Sequence, residues 1–155
     1  MRSLPGVTES VKTTFKLASA FLLCLGLAFH PAHATIDDSL SFALEAAMPY
    51  VRDGFTVRED YWGGDLAAGT QKAIVHQLFK GNEYWFWMGT DVDGARVSVH
   101  VYDSEGNLTE AESWQRDKFA GARVVPRRTG SYYLIVEVEK SPNERTSWAL
   151  AYGFR

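Results

Sequence analysis

Tyr132-Tyr-Leu-Ile-Val-Glu-Val138 decides the fold. Tyr132, Leu134, Val136 and Val138 fall on one side of an extended chain, a two-residue period that marks a strand with one face in a core. Turn residues bound it on both sides: Arg127-Arg-Thr-Gly130 before, Ser141-Pro-Asn-Glu144 after. Beyond that second turn Trp148, Leu150, Tyr152 and Phe154 alternate again to the end of the chain.

The same pattern extends upstream. Arg96–Tyr102 puts Val97, Val99 and Val101 on one face and Ser98, His100 and Tyr102 on the other. Asp103-Ser-Glu-Gly-Asn107 and Asp91-Val-Asp-Gly94 are turns at its two ends, and Tyr84-Trp-Phe-Trp-Met88 is a strongly β-prone run. Gln71–Phe79 alternates loosely, a weaker strand leads to Trp114, Arg123-Val-Val-Pro126 is a short strand, and an edge strand is expected around Gly64–Leu66. Seven or eight short strands, spaced about 8–12 residues apart, predict an all-β antiparallel sandwich rather than a parallel sheet with crossover helices.

One helix is expected ahead of the strands. Leu40, Leu44, Ala47, Met48 and Val51 recur at helical spacing, and Asp37, Asp38 and Ser39 supply capping oxygens. Pro49 disfavours helical geometry at Met48, which predicts a helix over 38–48. Residues 1–34 read as an export signal. Lys12 and Lys16 precede the apolar run Leu17–Phe29, and Ala32-His33-Ala34 fits a small-x-small cleavage site. The run is shorter than the roughly 20 residues a membrane-spanning helix needs. Lipid attachment at Cys24 is disfavoured by Leu22 and Leu23 immediately before it. The division expected is a cleaved signal at 1–34, a helix and loop at 35–63, and the sandwich at 64–155, in the periplasm or secreted.

The chain has 155 residues, 46% hydrophobic and 23% charged, which excludes a disordered or collagen-like protein. Without residues 1–34 it carries 13 basic and 18 acidic side chains, a net of −5, and no cysteine. The absence of a basic cluster argues against nucleic-acid binding. The absence of a thiol excludes cysteine nucleophiles and Cys-ligated metals from the exported part, which must rest on its core instead of on disulfides.

Three segments together resemble a known pattern: Gln77-Leu-Phe-Lys-Gly-Asn-Glu-Tyr-Trp-Phe86, Val99-His-Val-Tyr-Asp-Ser-Glu-Gly-Asn107 and Val124-Val-Pro-Arg-Arg-Thr-Gly-Ser-Tyr-Tyr-Leu-Ile-Val136. The chain resembles the bacterial pre-peptidase C-terminal type of β-sandwich domain over residues 64–154. The resemblance implies a jelly-roll-like sandwich in an exported protein and an accessory or binding role, in some members with Ca²⁺. This chain departs from it in carrying no catalytic domain.

Candidate site residues fall into three groups. The acidic turns offer Asp91, Asp93, Asp103, Glu105 and Asn107, hard oxygen ligands of the kind Ca²⁺ takes, although Asp, Asn and Gly are equally the residues of tight turns. Tyr61, Trp62, Trp85, Trp87 and Trp114 are candidate ligand-binding aromatics, able to stack on a sugar or an apolar partner if exposed. Trp85 and Trp87 are more simply covered, with the 38–48 helix as their lid. Arg127-Arg128 beside Thr129-Gly130 is a candidate anion site or a solvated turn. His76 and His100, the two histidines beyond residue 34, have no nucleophile elbow, zinc-helix motif or phosphate loop around them. The sequence therefore favours a non-catalytic module binding a glycan, peptide or protein. A structural subunit of the envelope and a small envelope hydrolase are the alternatives.

Overall fold

The computed structural model describes residues 35–155; the expected export signal lies outside them. Helix α1 (Ile36–Arg52) is followed by nine strands: β1 (Thr56–Val57), β2 (Trp62–Leu66), β3 (Thr70–Leu78), β4 (Tyr84–Gly89), β5 (Arg96–Tyr102), β6 (Glu112–Arg116), β7 (Phe119–Val124), β8 (Gly130–Lys140) and β9 (Thr146–Phe154). All pairings are antiparallel. The larger sheet runs β1-β9-β4-β7-β6, with β2 also on β9; the smaller runs β3-β8-β5. The orders β2-β9-β4-β7 and β3-β8-β5 interleave as in a jelly roll. The one departure is β6, which stays with its hairpin partner β7 instead of crossing to β5.

Alternation builds the core between the sheets. Phe86 and Met88 from β4, Val97, Val99 and Val101 from β5, Leu134, Val136 and Val138 from β8, and Trp148 and Leu150 from β9 are buried there together. These are the inward faces read from the sequence. Every residue of β4 is buried, however, because its other face is covered as well.

The cover is α1. Thr35 caps it in a reciprocal capping box: Asp38 N–H donates to Thr35 Oγ1 at 3.1 Å and Thr35 N–H donates to Asp38 Oδ2 at 3.2 Å. The helix does not stop at Met48. Pro49 is inside it and the last turn runs on to Arg52. Tyr50 explains the continuation: its ring lies 4.4 Å from that of Trp85 and 5.4 Å from that of Trp87, and its hydroxyl accepts from Trp114 Nε1 at 2.7 Å. Those contacts offset the backbone bond that proline removes.

The helix face turned inward is Ser39, Ala43 and Ala47, a stripe of small residues; Leu44, Met48 and Val51 are exposed. Small residues let the helix axis come close to the sheet. At Gly89 the approach is so tight that a side-chain carbon would collide with the backbone of Ala43. Gly121 similarly makes room for the ring of Trp114, which would lie 2.6 Å from a Cβ there. No helix among the described residues is long and apolar enough to cross a membrane.

Candidate functional site

The three-stranded sheet ends in two loops that leave a groove of about 890 Å³ between them. One wall is the 103–111 segment after β5, the other the 125–132 segment entering β8. The first wall starts as a tight turn. Asp103 Oδ1 accepts from the backbone N–H groups of Glu105 and Asn107, both at 2.9 Å, and Oδ2 accepts from Asn107 Nδ2 at 3.1 Å. Those bonds to Asn107, backbone first and side chain second, hold the Asp103 carboxyl below its ordinary range. The wall then runs along the edge of β5, where Thr109 N–H donates to Val101 O at 2.8 Å.

Glu110 fixes the base of that wall. One carboxylate oxygen accepts from Val101 N–H at 2.8 Å and the other lies 2.8 Å from His100 Nδ1. The side chain is nearly buried, so the carboxylate spends its lone pairs on the protein. In the opposite wall, Tyr132 OH donates to Arg128 O at 2.9 Å and Lys80 N–H donates to Thr129 Oγ1 at 2.9 Å. Arg128 crosses the mouth to Glu105 at 3.1 Å.

The groove's charges are thus mostly matched internally. Asp103, Glu105, Glu110 and Arg128 all have partners. Arg127 has none among the described residues. Two apolar side chains stand exposed at the rims, Leu108 at 56% and Val125 at 51%. Leu108 belongs to no alternating run, and Val125 falls inside the strand expected at 123–126, which in fact ends at Val124, so the sequence singled out neither. For Leu108 a large side chain just past a turn of small and polar residues was the available signal.

The acidic residues expected to act together are separated. Asp91 and Asp93 precede β5, while Asp103, Glu105 and Asn107 follow it. Seven residues of strand, roughly 20 Å at about 3.3 Å per residue, lie between the two turns. Asp93 is held by Lys118 at 2.8 Å, which keeps its carboxyl low. Burial pushes the Asp91 carboxyl up. Among the described residues no three His, Cys, Asp or Glu side chains converge on a point where an ion would sit.

The candidate aromatics are also spent internally, with one exception. Trp85 and Trp87 are buried beneath α1 with Tyr50 and Phe55, so neither is available to a ligand. Trp114 lies over Gly121 with Tyr50 at its nitrogen and the Arg116 guanidinium 5.4 Å from its ring. Trp62 packs at the open seam between the sheets, 4.9 Å from the His76 ring and 5.3 Å from that of Tyr152. Tyr61 is exposed.

The two histidines do not meet. His76 points between the sheets, in the inward row of β3 with Ile74 and Leu78, while His100 points outward from β5, opposite Ile135. Burial lowers the His76 pKa, against the pull of the nearby Asp60 carboxylate. No protein-family model matches the chain, and no curated protein matches it.

Proposed function

We propose that the chain is an exported, non-catalytic binding module that holds an extended segment of a protein partner in the groove between residues 103–111 and 125–132. One observation carries the reading: two exposed apolar side chains, Leu108 and Val125, line the same groove as Arg127, which has no partner among the described residues. That combination suits a peptide with an apolar side chain and a carboxylate, because the remaining groove charges are already paired. A glycan is less well served, since the groove has no exposed aromatic platform on which a sugar ring would stack. The pre-peptidase C-terminal resemblance points the same way, toward an accessory module.

Selection from a random peptide display library tests the proposal. Enriched peptides are expected to share an acidic and an apolar residue. They should lose binding to the double variant Val125→Asp/Arg127→Glu while its melting temperature stays unchanged, both positions being exposed. Failure to enrich any peptide, or enriched peptides that bind the variant equally well, would sink the reading.

A further inference from the structure

A sandwich of two open sheets has four edges, and every open edge presents unpaired backbone groups to other strands. Three of the four are protected here. The β5 edge is occupied at both ends: Val101 O accepts from Thr109, Val101 N–H donates to Glu110, Val97 N–H donates to Asp117 O at 3.2 Å, and Val97 O accepts from Gln115 Nε2 at 2.7 Å, which leaves no free run of strand. The β6 edge is five residues long and charged at both ends by Glu112 and Arg116. The β1–β2 edge is broken by the Arg58–Tyr61 loop and carries Gly63 and Gly64.

The fourth edge is β3, and nothing covers it among the described residues. It is nine residues long, pairs with β8 on one side alone, and contains no proline or glycine. Its outward row is Gln71, Ala73, Val75 and Gln77, with no charge, and Val75 is 60% exposed. Phe79, just past the strand, is exposed as well.

We propose that two copies of this chain associate through β3, the Gln71–Gln77 segments pairing antiparallel about Ile74 to join the two three-stranded sheets into one. The sequence is self-complementary in that register, as a two-fold interface requires. Gln71 stands opposite Gln77 and Ala73 opposite Val75, so the outward row has amides at its ends and an apolar centre. In the inward row Ile74 meets its own copy and Lys72 faces His76 of the second copy. The Lys72 ammonium then approaches the second copy's Asp60, whose carboxylate accepts from Tyr152 OH at 2.8 Å beside that His76 ring. Arg58 of the same copy lies 3.6 Å from that carboxylate, so each Lys72 joins an exposed pair as a second cation, once on each side of the axis. The pairing does not use the groove and stands or falls independently of the peptide-binding reading.

Sedimentation velocity on the purified protein over a wide concentration series reads the association directly. A concentration-dependent dimer is expected. The variant Ala73→Lys/Val75→Lys, which crowds four ammonium groups around the axis, should weaken it at least tenfold. The register is read separately by Gln71→Cys/Gln77→Cys in a Cys24→Ser background. Oxidation should give a disulfide-linked dimer on a non-reducing gel, since directly opposed strand residues lie within disulfide reach. Both glutamines are exposed, so this pair reports even if the lysine variant fails to fold. A protein that stays monomeric at its highest soluble concentration overturns the proposal. So does a dimer that the lysines leave intact, or one that the cysteine pair fails to cross-link.

Discussion

The outer faces of the two sheets come from the same alternating pattern and end in opposite surroundings. On the larger sheet the outward rows read Gly153, Trp85, Arg123 and then Ala151, Trp87, Gly121, Trp114 across neighbouring strands. On the smaller sheet they read Ala73, Ile135, His100 and Val75, Tyr133, Tyr102. The first face mixes the largest side chains with the smallest, and α1 lies on it. The second has middle-sized side chains and no helix. A tryptophan ring brings about 150–250 Å² of surface, so covering it is worth roughly 4–6 kcal/mol as an upper bound. Flanking glycines and alanines let a helix descend far enough to collect that gain. Size contrast within a face, more than how apolar the face is, decides which side the chain covers for itself.

The sharpest way to break this comparison is to shorten one side chain on each face. Trp87→Ala should cost about 3–5 kcal/mol, because a fully buried ring is removed from beneath Tyr50 and Ala47. Val75→Ala, on the bare face, should stay within about 0.5 kcal/mol of the parent. Urea midpoints of the two variants check both values. Equal losses would mean that α1 is not fixed on its sheet, or that the second face is covered in solution.

The strands with clean alternation were legible in the sequence, whereas β7 was not: a strand was expected at 123–126, but it runs Phe119–Val124 through Ala120-Gly-Ala122, small residues that show no apolar period. Val97, Val99 and Val101 alternate, and so do Leu134, Val136 and Val138, and both sets enter the core. The helix was legible in position but not in orientation. Of its expected stripe Leu40, Leu44, Ala47, Met48 and Val51, Ala47 is buried and Leu40 packs beside Ala43, but Leu44, Met48 and Val51 are exposed, and Ser39 and Ala43 are buried instead. Periodicity ranks residues by how apolar they are and knows nothing of the partner's shape; here the partner already supplies two tryptophans, and small residues bring the helix down onto them. Pro49 misled for a related reason, since the packing of Tyr50 is a tertiary gain that no local preference contains. The groove was least legible. Arg127 was visible as a charge, but that Arg128, Glu105, Asp103 and Glu110 would find partners within the protein depends on two loops meeting across the end of a sheet.

The edges of the smaller sheet repeat the contrast between covered and bare at a finer scale, and Glu110 is the means to test it. Glu110→Ala removes the acceptor of Val101 N–H and the partner of His100 together. A backbone donor left partly buried without an acceptor costs about 1–3 kcal/mol. Hydrogen exchange at Val101 should accelerate in the variant while exchange in β4 is retarded as before. If stability and Val101 exchange are both unchanged, the 108–111 wall does not protect that edge.

The smallest expected effect belongs to the seam beneath the bare sheet, where His76 lies between the rings of Trp62 and Tyr152, each 4.9 Å away. Burial lowers its pKa, with the Asp60 carboxylate opposing, so the folded protein favours the neutral ring. The unfolded chain takes up that proton first as pH falls below about 6.5. The stabilisation from neutral His76 is therefore fully present above that value and declines as pH falls toward the folded-state pKa, below which the loss stops growing. The carboxylates of the region stay out of this window. Asp60 is held low by the Tyr152 hydroxyl, and Glu83, though burial pushes it up, is brought below its ordinary range by Arg155 and Arg123. Every other titrating group is common to parent and variant, so subtracting the His76→Gln profile from the parent profile isolates His76. The difference should be flat above pH 7 and fall as pH drops below about 6.5. A flat difference throughout would mean that water reaches the ring freely and that the seam between β2 and β3 is open in solution.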